Sequence, residues 1–309
     1  MEETVASLSL AVHEKLELKK NRLTPLPGND SGKRICVVTG VHGDELEGQY
    51  VAWQLGRILT EKKGELLGSV EIYPSLNPMG ISTIYRGLPG FDLDMNRIFP
   101  GSEGGSMHEY VAKKIVDDIQ GADLAVDIHA SNIFLRELPQ IRINELTADK
   151  LVPMASHMNM DLIWVHSAAT VLESTLAWSL NSIGTPCLVV EMGVGMRLTK
   201  EYGDRLTRGI LATMTKMGML PDYKGTIHQP LISHDGNVGY INANQSGIFM
   251  PEAKHGQYLK KGQLVGVIAD PLTGEVREEL LSPNDGLLFT LREYPVTLTG
   301  SLIARVLEV

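Results

Sequence analysis

The sequence predicts an α/β fold, a mixed but largely parallel sheet flanked by helices, joined to a C-terminal all-β domain. Between about residues 34 and 215, short β-branched runs alternate with longer amphipathic or apolar stretches, the pattern of strand-helix-strand units. After about residue 222 the texture changes to short strands punctuated by Gly, Asn, Asp and Pro, as in GYINANQSGIFMPEAKHG and LLSPNDGLLFTLREYP. At 309 residues the chain can bury a large core, and 43% hydrophobic with 21% charged residues is the composition of a globular protein. The expected division gives residues 1–221 to the α/β domain and 222–309 to the β-domain.

The expected strands of the first domain are 34–39, 69–74, 123–128, 162–166 and 186–191. A helix begins near Glu45 and runs to about Leu59; another opens at Ser106-Met107-His108-Glu109, a capping-box spacing followed by apolar Val111, Ile115 and Ile119. A third covers Glu173 to Ile183. The stretch from Tyr73 to Gly101 is too rich in turn residues for one regular element and reads as a long loop, which in a compact domain is usually functional. In the second domain, GQYLKKGQ (256–263) followed by SPNDG (282–286) resembles lipoyl- and biotinyl-type barrel-sandwich domains. The intervening DPLTGEVREELL lacks the lysine such domains modify, so no swinging arm is expected.

A formal charge of −9 argues against a nucleic-acid partner, because backbone phosphates are met by Lys and Arg. No segment approaches the roughly 20 apolar residues of a membrane span. The N-terminus MEETVASLSLAVHEK is acidic where a signal peptide is basic, so no export is expected. Cys36 and Cys187 sit in apolar runs as buried structural thiols and fit a cytoplasmic setting. Self-association into a homo-oligomer is left open.

The chemistry-bearing residues gather where strands end. Directly after the apolar RICVV comes TGVHGDELEG, and in a parallel sheet ligands collect outside the carboxyl ends of strands. His42 and Glu45, three apart at a helix start, can turn an imidazole and a carboxylate toward one point; a solvated helix start is the alternative. GADLAVDIHAS is a second strand, ending in His129 and followed by an exposed polar loop. Two histidines and a glutamate are the three ligands a catalytic zinc takes when its fourth position stays open for water. Asp127, two residues before His129 on the same strand face, can orient that imidazole, with Asp44 a weaker candidate for such a role.

In the long loop, Asn96 beside Arg97 suits capture of a substrate carboxylate, and Arg86 can polarise a scissile carbonyl. Surface salt bridges to Asp92 or Asp94 are the alternative for either arginine. Glu191 ends CLVVEMG at a third strand terminus, where a carboxylate beside a metal can act as general base; a satisfied buried Glu is the alternative. Arg136 and Arg142, in FLRELPQIRIN, follow His129 closely and are expected to line the substrate pocket, unless they are ordinary surface charges. His108, His157 and His166 have no partner apparent in the sequence.

His42-x-x-Glu45, Asn77-Pro78-x-Gly80, Arg86, Asp94-x-Asn96-Arg97-x-Phe99-Pro100-Gly101, Asp127-x-His129 and Glu191 occur in that order. The arrangement resembles the succinylglutamate desuccinylase/aspartoacylase family, relatives of the zinc carboxypeptidases, over about residues 34–200, and the appended β-domain is similar too. Met95 stands where Leu is more usual. The resemblance implies a carboxypeptidase-like fold and one zinc ion per chain, held by His42, Glu45 and His129. It further implies carbonyl polarisation by Arg86, carboxylate binding by Asn96 and Arg97, and a general base at Glu191. The expected activity is hydrolysis of the amide bond of a small N-acyl amino acid. A metallocarboxypeptidase acting on peptide C-termini and a non-catalytic metabolite-binding protein on the same fold are the alternatives.

Overall fold

A computed structural model describes residues 1–167, 173–221 and 225–309; the expected domain boundary at 222 lies outside the described residues. The N-terminal part holds β1 (Glu2–Ser9), β2 (Lys15–Leu23), β3 (Arg34–Thr39), α1 (Glu47–Glu61), β4 (Ser69–Tyr73), α2 (Pro78–Thr83) and α3 (Met107–Ile119). Then come β5 (Leu124–His129), β6 (Leu135–Asn144), α4 (Ala148–Ala155), β7 (Leu162–His166), α5 (Leu176–Ser182), β8 (Cys187–Gly193) and α6 (Lys200–Lys216). The C-terminal part is mainly strand, apart from a 3-10 turn at Asp235–Asn237: β9 (Leu231–His234), β10 (Val238–Asn242), β11 (Gly247–Pro251), β12 (Tyr258–Leu259), β13 (Leu264–Ala269), β14 (Val276–Leu281), β15 (Gly286–Arg292), β16 (Val296–Thr297) and β17 (Leu302–Glu308).

The largest sheet runs β1-β2-β4-β3-β5-β8-β6-β15-β17-β10, with β4, β3, β5 and β8 parallel at its centre. Strand β3 shows why its ICVV stretch is apolar throughout. Ile35 and Val37 join α1 and α6 in one core cluster, while Cys36 and Val38 join α3 and α5 in another on the opposite face. A strand buried on both sides has no polar face to alternate with. The helices match it: Val51, Leu55 and Leu59 of α1 and Leu206, Ile210 and Met214 of α6 fall at four-residue spacing and are all buried. Helix α3 begins as its sequence predicts, with Ser106 Oγ accepting from Glu109 N and Glu109 Oε2 from Ser106 N.

Three parts differ from expectation. Residues 1–33, for which the sequence suggested no element, contain the β1–β2 hairpin, which extends the sheet antiparallel to β4. Lys20 interrupts the apolar reading of β2, yet it is buried because its ammonium meets Glu71 at 3.0 Å and Asp118 at 2.7 Å. The polar loop expected after His129 is only five residues long, ending at Phe134; Leu135–Asn144 is a strand covered by β7, β8 and β15. The long loop folds part of its length into α2.

The C-terminal β region is two facing sheets. Phe249, Val265, Ile268 and Leu280 from β14-β13-β11-β16 pack against Ile241, Leu288, Ile303 and Val306 of β10, β15 and β17. Those last three strands also continue the large sheet through β15, which pairs with β6 at Thr290–Glu137. Backbone hydrogen bonding therefore passes from the α/β part into the β region.

Candidate metal centre and its pocket

The first candidate ligand sits in the turn after β3. His42 and Glu45 both precede α1, which opens at Glu47, and His42 Nδ1 lies 2.7 Å from Glu45 Oε1. The turn is fixed from the other side of the loop: Gly43 N donates to Arg86 O at 3.1 Å, and a Cβ on Gly43 would collide with the Gly80 backbone and the Tyr85 carbonyl. Only glycine permits that approach. Beyond α2, Ile84 adopts left-handed backbone (φ 56°), a costly conformation for a β-branched residue, just before Arg86 turns back toward the site.

The second ligand and the expected base come from neighbouring parallel strands. Residues 125, 127 and 129 of β5 and 187, 189 and 191 of β8 share one face, and His129 is the register partner of Glu191. Alternation thus puts Asp127, His129 and Glu191 side by side at the carboxyl edge. His129 Nδ1 lies 3.0 Å from Glu45 Oε2, so the single Glu45 carboxylate touches both imidazoles through their Nδ1 atoms. The Nε2 atoms face outward to carboxylates: His42 Nε2 pairs with Asp94 Oδ1 at 3.0 Å, and His129 Nε2 lies 3.1 Å from Asp127 Oδ2. Each imidazole is held between two acids.

The acids around the two imidazoles favour their charged form. Burial opposes charge on His129, but Asp127 and Glu45 outweigh it and hold the imidazole well above the usual histidine range. His42 is raised in the same way by Asp94 and Glu45. Burial pushes Glu45 up, yet His129 and His42 prevail and keep it below the ordinary carboxylate range, while Asp94, hydrogen-bonded to His42, goes down to about 2. One donor atom from each of His42, Glu45 and His129 lies within 4.8 Å of the others, all three residues buried. His42 Nδ1 is buried without a hydrogen-bond partner among the described residues, although Glu45 is beside it. Two imidazoles sharing one carboxylate, with the unpartnered His42 Nδ1 turned inward, fit a divalent metal ion.

The three donors open into a cavity of about 630 Å³. Arg86 caps it, with Nη1 2.7 Å from Glu45 Oε1 and Nη2 3.2 Å from His42 Nε2, and not in a surface pair with Asp92 or Asp94. Asn96 and Arg97 line the same cavity; Asn96 Oδ1 accepts from Leu176 N at 2.9 Å, which ties the loop to α5, and Arg97 Nη1 donates to Asn96 O. Glu191 lies at the wall with Arg142 Nη1 3.3 Å away; burial holds its carboxyl above the usual range against that pull. Arg136 is the exception. It lies outside the cavity lining, and its guanidinium forks onto Glu293 at 3.0 and 3.1 Å. The reason is a bulge: between Glu137 and Gln140 strand β6 takes one more residue than β8, at Leu138-Pro139, so Glu137 and Arg142 share the cavity face and Arg136 is turned away.

Sequence reasoning missed Asp94 as the partner of His42, and it missed Glu137 and Arg305 in the cavity wall. Pro139 inside an otherwise alternating run was the available signal for the bulge. Arg305 alternates regularly in LIARVLE, but which face of β17 meets the cavity depends on pairing with β15, which the sequence does not encode locally. Among the described residues, no helix is long and apolar enough to cross a membrane.

Comparison with known proteins follows the same lines. Residues 31–217 match the model of the succinylglutamate desuccinylase/aspartoacylase catalytic domain. The chain is 23% identical over 292 residues to the N-alpha-acetyl-L-2,4-diaminobutyric acid deacetylase of Halomonas elongata, covering 90% of this chain and 83% of that protein. Among solved structures, a succinylglutamate desuccinylase/aspartoacylase from Rhodobacter sphaeroides superposes with a TM-score of 0.80 at 24% identity, over 99% of this chain and 95% of that one. The product-bound ectoine utilization protein EutE (DoeB) of Ruegeria pomeroyi does so with a TM-score of 0.84 at 18% identity, over 100% and 95%. With the family's catalytic-domain model matched over more than half of its length, the chain belongs to the succinylglutamate desuccinylase/aspartoacylase family, a family of deacylases.

Proposed function

We propose that the protein is a zinc-dependent amidohydrolase that cleaves the amide bond of a small N-acyl amino acid or related carboxylated amide. The observation that carries this reading is the register pairing of His129 with Glu191, which sets a partly buried carboxylate beside the candidate metal donors in one cavity. Zinc held by His42, Glu45 and His129 would polarise the scissile carbonyl and acidify water. The remaining work falls to this chain's own groups. Glu191 accepts a proton from the attacking water and returns it to the leaving amine, a task suited to a carboxyl held above its usual range. Arg86 reaches over the donors to stabilise charge developing on the carbonyl oxygen. Asn96 and Arg97 bind the substrate carboxylate, and Asp127 and Asp94 orient the two imidazoles.

A cavity of about 630 Å³ is the size that encloses a small molecule and favours a small amide over a peptide. Buried free thiols at Cys36 and Cys187 support a cytoplasmic setting. The test is a screen of zinc-loaded enzyme over N-acyl amino acids and blocked di- and tripeptides, reading released amine. Turnover of one or more N-acyl amino acids ahead of every peptide is expected. Faster cleavage of peptides would mark a carboxypeptidase, and tight binding without any turnover a metabolite-binding protein.

A further inference from the structure

We propose that Glu137 is a positioning residue for Glu191, and that the C-terminal strands hold it in place through Thr290 and Arg305. The β region then completes the active site and does not merely border it. This inference rests on Glu191 being the general base.

The arrangement begins in the sheet register. Glu137 of β6 is paired with Thr290 of β15, and Thr290 with Arg305 of β17, so three strands place these residues in one row on one face. Glu137 is buried at 1% exposure, and four donors converge on it: Thr290 Oγ1 at 2.5 Å, Gln140 Nε2 at 2.8 Å, Arg305 Nη1 at 2.9 Å and Arg142 Nη2 at 3.2 Å. A buried carboxylate so fully satisfied is a fixed anchor. Arg142 is the bridge, because Nη2 is on Glu137 while Nη1 faces Glu191 at 3.3 Å. The planar guanidinium makes these two contacts together, so fixing one end aims the other. Trp164 supports both arginines, with Arg142 Cζ 5.6 Å and Arg305 Cζ 5.4 Å from its ring centre.

Charge balance gives the row its consequence. Arg142 and Arg305 face Glu137 and Glu191, two cations against two anions. If Arg305 is removed, Glu137 is left with Arg142 as its one charged partner and draws that guanidinium off Glu191. Glu191 then loses its orientation, while Asn96, Arg97 and the metal donors, on other elements, are untouched.

The test uses the full-length, zinc-loaded protein. In Arg305→Met, kcat falls about tenfold or more with KM unchanged, the scale on which such supporting contacts act, and Arg305→Lys restores most of the loss. Wild-type kcat in Arg305→Met, or a loss confined to KM, overturns the proposal. Thr290→Val, which removes one donor at nearly constant volume, gives the same direction with a smaller loss and serves if Arg305→Met does not fold. A crystal structure of whichever variant folds decides the point without any substrate. Arg142 withdraws from Glu191 if the proposal holds, and a contact kept near 3.3 Å overturns it. Failure to hydrolyse any N-acyl amino acid would instead count against the proposed function, and the crystallographic distance would still settle the role of Glu137.

Discussion

Strands β5 and β6 deliver charged side chains to the same cavity by different rules. In β5 the alternation is unbroken from Leu124 to His129, so Asp127 and His129 share a face and both reach the candidate metal site. In β6 a bulge at Leu138-Pro139 inverts the alternation, and Glu137 and Arg142, an odd and an even position, end on one face while Arg136 is lost to the other. Alternation is thus a statement about register and holds only as far as the ladder is regular. The β5 edge has a second advantage: its partner strands are parallel, so every chemically active end falls on one side of the sheet.

The largest expected effect tests the regular edge. Glu191→Gln keeps the size and register of the side chain while removing its basicity, and should lower kcat by about 10²–10⁴-fold, the usual contribution of a positioned acid-base group. If zinc is bound as proposed, its content, measured by atomic absorption, should equal that of the wild type. Near wild-type turnover in the zinc-loaded variant would end the assignment of Glu191 as the base, and with it the argument from the pairing of His129 and Glu191.

A smaller effect separates the two acids behind the imidazoles. Replacing an outer-shell carboxylate costs roughly 10–100-fold in metal affinity. Asp127 is buried at 1% exposure inside β5, whereas the Asp94 side chain is 27% exposed on the loop. Asp127→Asn should therefore fall near the upper end of that range and Asp94→Asn near the lower, as read by competition with a chelator. The reverse order would show that the loop, not the strand, governs the set of the metal donors.

How much of this was legible in the sequence follows from the same contrast. His42, Glu45, His129, Asp127 and Glu191 could be found because each lies at or just beyond the end of an apolar run, where local pattern and function coincide. The parallel strands and the capping box of α3 were equally local signals. Asp94 was visible as part of a motif, but its partner His42 is 52 residues away, and only the folded loop brings them together. Thr290 and Arg305 reach the cavity through a pairing of β15 with β6 that spans 153 residues from Glu137 to Thr290, a long-range choice no local pattern records. The β1–β2 hairpin was missed for a different reason. Lys20 and the flanking charges make KLELKKNRL look like surface, because the acids that neutralise Lys20 come from β4 and α3.

The smallest expected effect is the sharpest test of the bulge. Arg136 and Arg142 look equivalent in FLRELPQIRIN, and an unbroken strand would place both on the same face. With the bulge, Arg136 pairs with the exposed Glu293 at the rim, and a partly exposed pair of that kind contributes at most about 1 kcal/mol. Arg136→Gln should leave kcat and KM at their wild-type values and shift the thermal midpoint only slightly. A selective rise in KM for carboxylated substrates would mean that Arg136 reaches the cavity after all. The extra residue at Leu138-Pro139 would then not set the face of β6, and Glu137 would lose the shared face with Arg142 on which its reach to Glu191 depends.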